Sequence, residues 1–446
     1  MGDAREGGFP AGAAWLRRVA AGEGPIYRRV FEALRAAVAD GELSPGDQLP
    51  PQRTVAGLLE VDFTTVTRAY ALAREHGLVE GATGRGTFVR RRAGEEEAGL
   101  VDLSMNLPPP PEGLSLAALL RETTAAVLAR TDPATLMAYH AGAGSLAQRA
   151  AGAAWLVPGQ GSVDPERVVV CAGAQAALSA ILALETAPGD AVVVEALTYP
   201  GLLAALAARG VRAVACPMDA EGMIPGALAA QLAASRARLV VLTPTWQNPT
   251  TATMGAERRA AVVEACARAG ARIVEDDAYG RLPEASPTAL AALAPKRTWR
   301  VATLAKALTP GLRIAYVAAP DPEAAGRLAA AGHALCQMPA PLMAAVAAAW
   351  IRDGAAQAIL AGVRAEAVAR RALAAEILPR AVGPEGCLHV WLERAAGGSP
   401  EGLSLAPATL FAAPGVAAEG ARLSLGAPGK RAVLASALRR VAASLT

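Results

Sequence analysis

Only three of the 43 basic residues are lysines (Lys296, Lys306 and Lys430), and the rest are arginine. A lysine here is therefore a candidate for work that arginine's permanent charge forbids: bonding to a carbonyl carbon through a neutral amine. Lys306 stands just past an apolar run, Val301-Ala302-Thr303-Leu304, and Pro310-Gly311-Leu312-Arg313 follows it. Other polar groups hold the same kind of place. Cys171 leads into Ala172-Gly173-Ala174-Gln175, a small-residue turn before a helix, whose free N–H groups suit a phosphate. Glu195 leads to Leu197-Thr198-Tyr199-Pro200-Gly201, an aromatic in a turn, and Thr243 leads to Asn248, an amide ahead of Pro249. Ile273-Val274-Glu275 runs into Asp276-Asp277-Ala278-Tyr279, which sets carboxylates where a strand leaves the core.

The elements that must position these groups alternate. Apolar runs at 168–171, 191–195, 211–216, 239–243, 273–276 and 301–304 are separated mostly by alanine-rich stretches of helical character. That pattern predicts a largely parallel sheet with helices on both faces. Ligands of such sheets bind beyond the carboxyl ends of the strands. A phosphate cradle, an aromatic plate, an amide, a carboxylate and a lone lysine, all at strand ends, are what pyridoxal phosphate requires. The lysine bonds the cofactor, and the carboxylate keeps the ring nitrogen protonated so that the ring accepts electrons.

A different pattern precedes residue 93. Ile26, Val30, Leu34 and Val38 recur every fourth residue, and Asp40-Gly41 ends the helix they predict. A short helix follows Pro51, with Val55, Leu58 and Leu59 inward, and a third runs from about Thr64 to Glu75, burying Val66, Ala69, Tyr70 and Ala73. Leu78–Glu80 and Thr87–Val89 flank the glycine-rich tip 82–86 of a predicted hairpin. Two short helices at a tight turn, then a hairpin, make a winged helix-turn-helix. Thr64, Thr65, Thr67 and Arg68 lie on the outer face of the third helix, where a recognition helix meets double-stranded DNA. Arg53 opens the preceding helix, and Arg85 at the wing tip is placed to reach a minor groove.

Two resemblances follow from these motifs. Pro25 to Val89, above all Gly46-Asp47-Gln48-Leu49-Pro50-Pro51-Gln52-Arg53 and Thr65-Val66-Thr67-Arg68-Ala69-Tyr70, resembles the GntR family of bacterial regulators. From Leu103 onward the chain is similar to fold type I, class I/II aminotransferases. That second resemblance implies that Lys306 bonds the cofactor, Asp276 pairs with its ring nitrogen, and Tyr279 and Asn248 bond its ring hydroxyl. It implies that Tyr199 stacks on the ring, while the Ala174 and Gln175 amides, Thr303 and Arg313 hold the phosphate. Arg422, in Ala421-Arg422-Leu423-Ser424, would grip an α-carboxylate in a bidentate fork. Tyr139 would reach the phosphate in a neighbouring subunit, which implies a homodimer. Two positions depart from the family's pattern: Ala305 replaces the usual serine before the lysine, and Thr251 replaces the glycine usual after Asn-Pro-Thr.

The 446 residues allow two or three domains, and 53% apolar residues support a large core. A net charge of +3 is too balanced for a nucleic-acid coat protein. Five scattered cysteines without a C-x-x-C pair argue against disulfides or zinc and fit a reducing cytoplasm. The N-terminus lacks a signal peptide's apolar core. The uncharged stretch 328–351 is long enough to span a bilayer, but Pro339 and Pro341 interrupt it, so two buried helices with an extended break are expected and no membrane partner. The winged helix is assigned to 25–92, a linker to 93–103 within a polar stretch that starts at 91, and the aminotransferase-like domain to 104–446. This arrangement is that of the MocR subfamily of regulators. It implies a dimeric, pyridoxal-phosphate-dependent transcription regulator that binds a DNA operator and senses an amino compound or the cofactor itself. The alternatives are a working aminotransferase of the aminoadipate or aromatic type with a secondary DNA domain, and a regulator that also transaminates its effector.

Overall fold

The computed structural model describes residues 13–20, 24–40, 42–43, 46–82, 86–90, 100–140, 142–393 and 399–445. The chain divides into two compact units, 1–99 with 115–121, and 100–114 with 122–446.

In the small unit, α1 (Ile26–Ala39), α2 (Gln52–Leu59) and α3 (Phe63–Glu75) precede the antiparallel pair β1 (Val79–Ala82) and β2 (Gly86–Val89). The turn between α2 and α3 is short because Glu60 takes a left-handed conformation, with φ 53°, that stops α2 at once. Asp62 then caps α3 by accepting from the Thr64 N–H at 2.8 Å. Val30, Leu34, Val55, Val66, Ala69, Tyr70 and Ala73 fill the core as their spacing predicts, but Leu58 lies on the surface. A 3₁₀ turn at Ala14–Val19 adds Trp15, Leu16 and Val19 to this core, ahead of the boundary expected at residue 25.

The large unit begins with β3 (Val101–Asp102), which pairs with β14 (Leu403–Ser404). Residues 101–103 therefore belong to the large unit and not to the linker, since their backbone is paired and Leu103 is fully buried. Helices α4 (Leu116–Arg130), α5 (Pro133–Leu136), α6 (Leu146–Gln160) and α7 (Ala174–Glu185) precede and follow the first strand of a seven-stranded sheet. That sheet contains β4 (Val168–Cys171), β5 (Ala191–Glu195), β6 (Arg212–Cys216), β9 (Leu239–Leu242), β10 (Arg272–Asp276), β11 (Thr298–Thr303) and β12 (Ala315–Ala318), with β7 (Met218–Asp219) and β8 (Gly222–Met223) forming a side hairpin. Its order is β4-β12-β11-β10-β9-β5-β6. All pairings are parallel except the two made by β12. Two reversals cancel, so β4 points the same way as its parallel relatives and delivers α7 to the same edge as Lys306. Successive strand residues face opposite sides: Val192 and Val194 enter one core, Val193 and Val240 the other.

A second sheet joins β13 (His389–Leu392), β16 (Ala421–Ser424) and β15 (Ala406–Pro407). The apolar stretch from 328 forms parts of two helices, Pro322–Cys336 and Pro341–Arg352, with the expected break between them. The second is buried, whereas the last turn of the first is exposed. No helix among the described residues is long and apolar enough to cross a membrane.

Candidate functional site

The strand-end groups converge. Asp276 and Asp277 are neighbours at the end of β10, and they have different surroundings. Asp277 is neutralised by Arg300, whose Nε and Nη2 donate to one carboxylate oxygen at 3.0 and 2.7 Å. Asp276 is buried and its Oδ1 has no partner. Burial, with Asp277 alongside and Lys306 opposing, pushes its carboxyl up to about 7. A buried acceptor of this kind calls for a cationic N–H.

Lys306 follows β11 and donates to the Asn106 carbonyl at 2.5 Å. Burial, then the positive charge of Arg422, lowers its amine to about 8, so the nucleophilic neutral form is within reach at neutral pH. Gly173, at φ 87°, caps α7, and a Cβ there would lie 2.9 Å from an Arg313 nitrogen. The Arg313 guanidinium thus lies against the N-terminus of a twelve-residue helix, where amides and cation face one small volume. The Thr303 hydroxyl accepts from the Ala305 N–H at 3.2 Å, which leaves its own hydrogen to donate. Gln175 binds the Gly201 carbonyl through its side chain at 2.8 Å, fixing the turn that carries Tyr199.

Asn248 sits in a cis Asn248–Pro249 turn, and its Oδ1 accepts from Arg422 at 2.7 Å. Its amide nitrogen is therefore the end left for a ligand. Arg422 also donates to the Ser104 carbonyl and lies over the Phe411 ring at 4.9 Å. The Tyr279 hydroxyl accepts from Asn106 Nδ2 at 3.0 Å, so its proton is free to be donated elsewhere. Tyr139 does not join this group within one chain: it is 80% exposed.

Sequence reasoning missed three residues. Asn106 joins Tyr279, Lys306 and His389 Nδ1, the last at 3.0 Å. His389 is buried and held neutral, its basicity well below normal because of burial and Arg422. Glu195, at the end of β5, accepts from Thr243 N–H and Gln247 Nε2, each at 3.1 Å, and Gln247 in turn fixes Thr250. Burial pushes the Glu195 carboxyl up to about 8. Asn106 and His389 lie outside the strand-end pattern that exposed the others, while Glu195 was noticed only as the end of a strand.

In the small unit, Arg53 is exposed beside Phe63, 5.9 Å from its ring centroid, and Arg68 lies 4.0 Å over the Tyr27 ring. Thr64 donates to Asp62, and the single Thr67 hydroxyl hydrogen goes to Gln52 Oε1 at 2.9 Å or the Phe63 carbonyl at 3.0 Å. Thr65 is half-buried. Arg85 and most of the hairpin tip lie outside the described residues.

Comparison with known families agrees with both halves. The family described as aminotransferase class I and II matches residues 98–389, and bacterial regulatory proteins of the gntR family match residues 26–89. The alpha-aminoadipate aminotransferase LysN of Thermus thermophilus, solved with N-(5'-phosphopyridoxyl)-L-leucine, superposes with a TM-score of 0.70 at 26% identity, covering 84% of this chain and 97% of LysN. The pyridoxine biosynthesis transcriptional regulator PdxR of Corynebacterium glutamicum is 30% identical over 67% of each chain. The probable rhizopine catabolism regulatory protein MocR of Rhizobium meliloti is 29% identical over 68% of this chain and 67% of its own. Fold and matches together define a GntR-type winged helix followed by a fold type I aminotransferase unit. The chain belongs to the MocR-type transcriptional regulators of the GntR family.

Proposed function

We propose that the large unit holds pyridoxal phosphate at Lys306 and answers an amino compound or the cofactor itself, that the small unit binds a DNA operator, and that the working form is a dimer. One observation carries the cofactor reading: of two adjacent buried carboxylates, one is neutralised by Arg300 and the other, Asp276, keeps an unpartnered oxygen. That oxygen suits a pyridinium N–H, and Lys306, Arg313 and the α7 amides suit the remaining groups of the same molecule.

When bound, the cofactor supplies an electron sink and a visible chromophore. The chain's own residues do the rest. Asp276 holds a proton on a ring nitrogen, Asn248 and Tyr279 donate to a phenolic oxygen, and Arg313, Thr303 and the α7 N-terminus fix a phosphate. Arg422 presents a carboxylate fork for an amino acid effector. Tyr139 is assigned to the site of a second copy, consistent with its exposure. A groove of about 690 Å³ is lined by Leu136 and His140, on either side of Tyr139 in the sequence, and by Met338 and Pro339.

Borohydride reduction of the cofactor-loaded chain followed by peptide mapping should place the pyridoxyl group on Lys306. A label on Lys296 or Lys430 overturns the site. The intact set from Lys306 to Arg422 favours a second reading, a working aminotransferase. Rapid multiple turnovers with a keto acid at constant DNA affinity would select it.

A further inference from the structure

Phe63 is the first residue of α3 and is 44% exposed, while the helix buries Val66, Ala69, Tyr70 and Ala73. It continues the buried stripe past the edge of the core, to the N-terminal turn that a recognition helix presents to base edges. Of the three hydroxyls expected to read bases there, Thr65 is half-buried and the other two are engaged. A hydroxyl has one hydrogen, and those of Thr64 and Thr67 are spent on Asp62 and on Gln52 or the Phe63 carbonyl. The Arg68 guanidinium stacks on Tyr27. Phe63 thus has the large exposed apolar surface of this turn, with Arg53 at the margin of its ring, 5.9 Å from the centroid, as a phosphate-seeking cation.

A phenyl ring offers a base edge no hydrogen bond. The major-groove feature it matches is the 5-methyl group of thymine, the one apolar group displayed there. We propose that Phe63 is a sequence-reading residue that packs its ring on a thymine methyl in each operator half-site. This inference rests on the DNA-binding reading above and adds the base that α3 recognises.

The test uses the full-length protein and a pool of randomised duplexes. Wild type should enrich sequences with a fixed thymine in each half-site, and replacing that thymine with uracil, which deletes only the methyl, should weaken binding about three- to fivefold. Phe63→Ala should lose the thymine preference and become indifferent to uracil. Its salt dependence should stay as in wild type, because no phosphate contact is removed. Phe63→Leu should restore part of the preference, and an unchanged melting temperature for both variants separates reading from folding. If Phe63→Ala selects the same thymine and feels the uracil replacement as wild type does, the assignment of Phe63 is overturned while DNA binding stands. If wild type enriches no sequence, the DNA-binding reading falls with it.

Discussion

The pair Asp276 and Asp277 shows how surroundings assign roles to identical side chains. Both are buried, but the Arg300 fork makes Asp277 structural and leaves Asp276 available. Glu195 is a third buried carboxyl, and its raised value near 8 has a consequence for stability. Its ordinary value is 4.5, so in the folded state it holds a proton that the unfolded chain releases. A folded-state value above the unfolded one means that stability falls as pH rises from about 4.5 through about 8. Glu195→Gln keeps a neutral hydrogen-bonding group and removes that titration. The variant should match wild type near pH 4 and gain on it progressively up to about pH 8, by an amount on the order of a few kcal/mol. Thermal melts across that range check it, and a difference that stays constant with pH would refute it.

At the scale of elements, the N-terminus of α7 depends on one backbone conformation. Gly173 combines φ 87° with a Cβ position 2.9 Å from Arg313, so Gly173→Ala is strained twice. It should move the guanidinium off the helix end and weaken pyridoxal phosphate binding at least tenfold, measured by absorbance titration, with the DNA affinity of the cofactor-free protein little changed. The parallel strands, the helix-turn-helix and the strand-end groups were legible because each rests on a local pattern: a continuous apolar run, period-four burial, or a polar group directly after an apolar run. β12 was not, since Ala315-Tyr316-Val317-Ala318 follows Arg313 so closely that the motif concealed the strand. Residues 101–103 were read as linker because a two-residue strand shows no periodicity, and its partner lies some 300 residues later. Asn106 and His389 reach the candidate site through each other, Tyr279 and Lys306, contacts that only the folded chain reveals.

At the scale of the whole molecule, two units with separate cores can communicate only if a ligand favours one arrangement over another. On the proposed reading, a carboxylate-bearing effector engages Arg422, which in the fold binds Asn248 and Ser104. Arg422→Ala should abolish the response of DNA affinity to carboxylate effectors, a change of roughly 5- to 150-fold in wild type. Cofactor absorbance and basal DNA binding should persist. Titrations that follow both signals together check this, and an undiminished response would exclude Arg422 as the receptor group. Within the large unit, the Ser104 and Asn106 carbonyls, just after β3, are held by Arg422 and Lys306. In mechanical terms, the same two cations that would hold a ligand already hold the backbone at residues 104 and 106. Occupancy would then trade that hold for one on the ligand, so the stretch just after β3 is the part of the large unit whose bonding changes with loading.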